Sequence, residues 1–411
     1  MKKSTVLLYC ACILVSGCRN QNSQEYRKNS DIDGIALAED EFVETDEVYF
    51  LDFEKYLKNM KEDTFTINSI SKNISFIPLE TTEKALLSTE NIKISMINGH
   101  YYISWSLDRV IPKIFEFDSI GRFIDILIQR GQGPEELPMI VFWSLNRNTQ
   151  LLYASSMREI IFYSFENATK NKHAIGSSFY GCSLNDGTFI DLPNWYGEGE
   201  TNTPYINFRN HEGEIIHSIY YKQKRDIAHD ITENGSSVSV SSYCLYPTYT
   251  GDALFKDMFN DTIYRIRSKD DINPYLIIHS GSFAPVLKDA TNQATRIQKM
   301  YLSRILDTKK YFFIEYSHRT IRYTAIWDKR RQSFISNIKY NNSEEQRIAS
   351  SNDKSFGFTK YRTPKGKEIH IPLLDYYDGK IYSVLDAEQA MEFIPGVDFD
   401  DNPVLMIFTI E

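Results

Sequence analysis

The chain has 411 residues, 42% of them hydrophobic and 25% charged, with a formal charge of −9 that becomes −11 when Lys2 and Lys3 leave with the leader described below. That acidity argues against a nucleic-acid partner: a polyanion needs a strongly basic patch, and the densest basic run, Lys329-Arg330-Arg331, reads as a solvated turn. Five cysteines are too few and too scattered for a disulfide framework, and only Cys182 and Cys244 fall in the body, where two separate buried thiols are the expected state.

The chain starts with Met1-Lys2-Lys3 and an apolar run, Thr5 to Val15, of about eleven residues, far short of the roughly 20 that cross a hydrocarbon core. The run ends in Val15-Ser16-Gly17-Cys18, the lipobox arrangement of an aliphatic and two small residues before a cysteine. Residues 1–17 are therefore expected to be a lipoprotein signal, and Cys18 the site of lipidation. Two or three acyl chains, at about 0.8 kcal/mol per buried CH₂, give a stable anchor in a bilayer without a span. Arg19 to about Thr45 is polar and poor in aromatics, so it reads as a flexible tether, domain 18–45, that reaches ~90 Å when extended and ~30 Å as a coil.

From Asp46 to Glu411 short runs of Ile, Tyr, Phe and Thr alternate with turn signals such as Asn98-Gly99, Asp186-Gly187 and Asp378-Gly379, which predicts antiparallel β structure. Phe53 to Met60 and Asp289 to Leu306 carry helical spacing and are expected to be insertions. A strand-turn-strand unit recurs from Ile114, Ile161, Ile206, Ile263, Thr324 and Ile381, at steps of 45 to 61 residues, near the period of propeller blades. A sandwich rarely fills so long a domain, whereas a ring of blades reaches that length by repetition. The expected fold is all-β, a single propeller of six blades over 46–411, with N- and C-terminal strands closing the last blade; the expected pair is Val48–Asp52 with Val404–Ile410.

Four segments, Ile77-Pro78-Leu79-Glu80-Thr81-Thr82, Gly131-Gln132-Gly133-Pro134-Glu135-Glu136, Phe259-Asn260-Asp261-Thr262-Ile263-Tyr264 and Asp401-Asn402-Pro403-Val404-Leu405, stand in the order seen in a known group. On these the chain resembles the six-bladed β-propeller lipoproteins of Bacteroidetes, over nearly all of the mature domain. The resemblance implies the fold and an address in the cell envelope, and says little about activity. The second blade departs from the pattern, with Phe165-Glu166-Asn167 in place of the usual glycine turn.

No motif for chemistry stands out. Gly131-Gln132-Gly133-Pro134 lacks the following helix that a phosphate loop needs, and reads as a blade connection. Its neighbours Arg130, Gln132, Glu135 and Glu136 are candidate ligand-binding groups at a channel mouth. Trp195 and Tyr196, in a long polar loop, are the candidate exposed aromatics for a sugar or peptide. Eight histidines are scattered singly, so no sequence-local metal site is expected, although His229, Asp230 and His318 could meet across blades. No cofactor motif, Gly-x-Ser-x-Gly elbow or paired carboxylate is assignable. The expected role is a membrane-anchored envelope lipoprotein, in the outer membrane, that binds or scaffolds a glycan, a peptide or an envelope protein. The alternative is a hydrolase or lyase at the channel mouth, assembled from several blades.

Overall fold

Alternation of apolar residues along short strands gives each strand two faces, and in this chain both faces are buried, each against a different neighbour. In the computed structural model the strand His100–Ser104 sends Tyr101 and Ile103 to one apolar cluster and Tyr102 to another. Phe142 and Trp143 likewise part between two clusters. A sheet buried on both faces by sheets of the same kind is a blade, and blades stacked around an axis make a propeller. The structure describes residues 48–410 apart from 61–63, 90, 107–109, 176–179, 194–203, 221–229, 232–236, 239–242, 258, 287–288, 290–292, 320 and 340–356; the leader, Cys18, the tether, Trp195, Tyr196 and His229 lie outside the described residues.

Six sheets follow one another around the ring. Blade 1 runs from Lys93 to Gln129, blade 2 from Phe142 to Ala174, blade 3 from Gly181 to Tyr220, blade 4 from Tyr243 to His279 and blade 5 from Met300 to Lys339. Blade 6 holds Asp375–Tyr377, Lys380–Leu385 and Val404–Thr409 and is completed by Asn73–Pro78 from the start of the domain. One apolar cluster fills each of the six interfaces between neighbouring blades, including the one between blades 6 and 1 built on Ile94, Phe115, Tyr382 and Leu405. The abundance of Phe and Tyr in the sequence is largely spent here.

The ring is therefore closed by strands from both ends of the domain, but not by the expected pair. Val404–Thr409 pairs antiparallel with Asn73–Pro78. Tyr49–Asp52, which was expected to close the ring, instead pairs parallel with Leu276–His279 as a fifth strand on blade 4. The reason is one of reach and packing. The closing strand must lead straight into blade 1, and Asn73–Pro78 does so, whereas helix Phe53–Lys58 follows Tyr49–Asp52 directly. Tyr49 then packs edge-on to Tyr275 and Phe312 between blades 4 and 5. Gly121 fits the closure tightly: at φ +87° a Cβ there would lie 2.3 Å from the Pro78 carbonyl oxygen.

Two further expectations are corrected. Among the described residues the stretch Asp289 to Leu306 is helical at Asp289 and at Gln293–Arg296, whereas Met300–Asp307 is the inner strand of blade 5. A bulge between Leu302 and Arg304 breaks the strict alternation, which is why the stretch imitates helical spacing in the sequence. The repeat unit starting at Ile381 falls on the second strand of blade 6, whereas the other five fall on third strands. Of the turn signals, Asn98-Gly99 and Asp378-Gly379 take positive φ at both residues, the two-residue hairpin geometry. In blade 2 the turn without glycine is made with Ala168 at φ 55°.

Candidate functional site

The first strand of each blade faces the ring axis with one edge unpaired by any other strand, so its carbonyls and amides need partners. Long polar side chains of neighbouring blades supply several. Lys93 donates to the Trp143 carbonyl, Arg147 Nε to the Met96 carbonyl at 2.8 Å, and Tyr246 to the Ser303 carbonyl at 2.6 Å. Arg304 donates to the carbonyls of Leu373 and Leu374 at 2.7 and 2.8 Å. The bonds of Lys93, Arg147 and Tyr246 cross from one blade to another, and those of Arg304 tie blade 5 to the segment that leads into blade 6.

These side chains surround a cavity of about 500 Å³ on the axis, to which the inner strands of all six blades contribute. Its size is that of a small-molecule pocket. The charged residues of its wall are Lys93, Arg147, Arg304, Asp307 and Asp375. Asp375 accepts from Arg147 Nη2, from Ser95 Oγ at 3.1 Å and from the Tyr376 amide at 2.8 Å. The Arg147 guanidinium also lies over the Tyr377 ring, 4.3 Å from its centroid. Asp307 is held by Lys329 at 2.6 Å, with both side chains buried. Arg304, buried in the same wall, has its charge supported by the buried carboxylate of Glu315 as well as by Asp375.

Burial perturbs several groups in this wall, Lys93 and Cys182 among them. The Lys93 ammonium is pulled down to about 8, first by removal from water, with the Arg304 charge adding to the effect and Asp375 opposing it. Burial pushes the Cys182 thiol up to about 12, so this buried, unbridged cysteine is a neutral thiol. Ser183, next to it and 5% exposed, has a buried Oγ with no hydrogen-bond partner among the described residues.

Arg130, Gln132 and Glu135 lie elsewhere. They sit on the connection from blade 1 to blade 2, and none of the three is in the cavity wall. There Arg130 Nε donates to the Pro138 carbonyl at 3.1 Å, Glu135 pairs with Lys170 at 3.0 Å, and Glu136 accepts from the Gly133 amide at 2.9 Å. The last bond, with Gln129, holds the Glu136 carboxyl below its usual range. His318 is buried, with Nδ1 3.4 Å from the Lys299 carbonyl, and burial lowers its pKa. Among the described residues no three of His, Cys, Asp and Glu are grouped closely enough to hold a metal ion.

The sequence reading missed the cavity residues because they are contributed by blades far apart in the chain. The signal that could have found them is a charged residue inside an otherwise apolar or small inner-strand run, as in Lys93-Ile94-Ser95-Met96-Ile97 and Leu302-Ser303-Arg304-Ile305-Leu306.

Among solved structures, the chain is similar to a protein of Bacteroides fragilis NCTC 9343 whose name designates it a candidate exported protein, at 16% identity and a TM-score of 0.60, covering 89% of this chain and 100% of that one. A member of the DUF4221 family from Bacteroides vulgatus ATCC 8482 matches at 10% identity and a TM-score of 0.45, covering 82% and 96%. Virginiamycin B lyase from Staphylococcus aureus matches at 8% identity and a TM-score of 0.39, covering 82% and 99%. No curated protein sequence matches the chain. The first of these likenesses shows the propeller fold alone. A family model described as a domain of unknown function, DUF4934, matches residues 48–409, and the chain belongs to that family.

Proposed function

We propose that this chain is a binding module of the cell envelope, held on a bilayer through lipid on Cys18, and that its six-bladed ring takes a small polar solute in the axial cavity. The observation that carries the reading is the cavity itself, about 500 Å³ with walls from all six blades. A ring closed by strands from both ends of the domain is a rigid frame, and side chains locked by bonds between blades form a preorganised pocket. The lining mixes rings, such as Trp143, Tyr246 and Tyr377, with charged and hydroxyl groups. That mixture suits a glycan fragment or a short peptide better than a purely apolar ligand. The leader and Val15-Ser16-Gly17-Cys18 support the envelope address, as does the name of the Bacteroides fragilis protein. Placement in the outer membrane follows from the resemblance to envelope lipoproteins.

The test is a thermal-shift and native-mass screen of the mature domain against glycan fragments, short peptides and small organic acids, repeated with Leu145→Trp. Leu145 lines the cavity and is partly buried, so the indole fills space there. Ligands that bind the wild type and are lost from a folded Leu145→Trp protein support the reading. Ligands that bind both equally place recognition elsewhere and overturn it.

A further inference from the structure

The principal charged and polar groups of the cavity wall are engaged within the protein. Lys93 donates to the Trp143 carbonyl, Arg147 to Asp375 and the Met96 carbonyl, and Arg304 to the carbonyls of Leu373 and Leu374. Asp307 is held by Lys329, and Asn146 donates to the Leu184 carbonyl while its own Oδ1 accepts from the amides of Asn148 and Thr149. The Trp143 indole donates to Ser104, and the Tyr246 hydroxyl to the Ser303 carbonyl. A solute that took over one of these bonds would exchange it for its own, with little net gain. What the wall offers beyond them is chiefly apolar surface, whose removal from water is favourable in itself.

That surface is concentrated at one end of the axis. Inner strands of a propeller run the same way along the axis, so their starting ends surround one mouth and their finishing ends the other. At the starting mouth the wall is lined by Val110 and Met157, from the segments between the second and third strands of blades 1 and 2, and by Met139 and Val141, from the connection into blade 2. All four are partly exposed, Met157 at 38%. The finishing mouth carries Arg147, Asn148, Thr248 and Thr250 instead. Unbranched methionine chains adapt to the shape they meet, and two of the four residues are methionines.

We infer that the solute carries an aliphatic group, which lies against Val110, Met139, Val141 and Met157 at the starting mouth while its polar part extends along the axis. This rests on the reading of the cavity as the binding site, and it names the part of the solute that supplies the affinity. The four residues belong to blades 1 and 2, so the apolar contact is one-sided and fixes the solute in one orientation. The aliphatic group is a peptide side chain or a chain attached to a sugar, and the test separates the two sources.

Calorimetry on the mature domain tests this with two neutral series: N-acetylated glycyl dipeptide amides ending in glycine, alanine, valine or leucine, and methyl, butyl and hexyl glucosides. In at least one series affinity is expected to rise about fourfold for each methylene that enters the mouth, with a heat-capacity change that grows more negative along the series. A rise with the peptides alone identifies a side chain, and a rise with the glucosides alone identifies an attached chain; either supports the inference. Met157→Glu should flatten the rise and Met157→Leu should keep it, with matching melting temperatures excluding misfolding at this exposed position. A rise that persists undiminished in Met157→Glu places the aliphatic group elsewhere and overturns the inference. Equal affinity along both series, with binding abolished by Leu145→Trp, overturns the aliphatic group while the cavity reading stands. Binding that survives Leu145→Trp, or no binding by either series, overturns both.

Discussion

Glu315 shows how a single buried group shapes the behaviour of the fold. It lies on the second strand of blade 5, 3% exposed, with Arg322 Nη1 at 3.4 Å. Burial raises its carboxyl from 4.5 to about 7, against the lowering pull of Arg322 and Arg304. A group whose pKa is higher in the folded state stabilises the fold fully below its unfolded value, and that contribution is lost as the pH rises through the folded value. The domain is therefore expected to lose on the order of 1–3 kcal/mol between about pH 4.5 and 7 through Glu315. Chemical denaturation of wild type and Glu315→Gln across that window checks it: the difference in stability should shift in favour of the glutamine variant as pH rises. A difference that stays flat would show that Glu315 is an ordinary carboxylate. Lys93, in the cavity wall, shifts with the opposite sign, lowered to about 8. Desolvation tunes both groups, and neither residue forms part of a motif. This is why the residue scale was illegible in the sequence. Arg130, Gln132 and Glu135 attracted attention because they flank a conspicuous Gly-Gln-Gly-Pro run, but the structure places them on a blade connection.

At the scale of elements the strands were easier to read than their partners. Asn98-Gly99 and Asp378-Gly379 announced hairpins because positive φ at two successive positions restricts the residues that fit. Pairing across the ring is not local, so Tyr49–Asp52 and Asn73–Pro78 were equally plausible closing strands by composition, and only packing decides between them. The decision has a measurable consequence. Ile74 lies within the closing strand opposite Phe408, whereas Phe50 is exposed in the added strand of blade 4. A proline in a paired strand removes a ladder bond and is tolerated only at edges. Ile74→Pro should lower the melting temperature by many degrees or prevent folding, and Phe50→Pro should cost much less. Equal losses in differential scanning calorimetry would mean that both strands close the ring alike. The stretch from Met300 to Leu306, expected as the end of a helix, carries the same lesson: a bulge between Leu302 and Arg304 alters periodicity enough to disguise a strand.

At the scale of the molecule, spacing between repeats revealed the propeller because blades 1 to 5 are each built around four consecutive antiparallel strands. The copy number was legible, while the phase of the last copy was not, since blade 6 takes its outer strand from Asn73–Pro78. The cavity was the least legible feature. Its charged residues come from blades 1, 2, 5 and 6, and no window of sequence contains them together. Closure of the ring and the cavity are linked: Arg147 of blade 2 reaches past blade 1 to Asp375 of blade 6, and the outer strands close that same blade. The most direct measurement is a crystal structure of the mature domain with the tightest ligand from the screen. Ligand density on the axis, against Lys93, Tyr246 and Tyr377, is the predicted result. Density on the blade 1 to blade 2 connection beside Arg130 and Glu135, with the axial cavity filled by solvent alone, would contradict it.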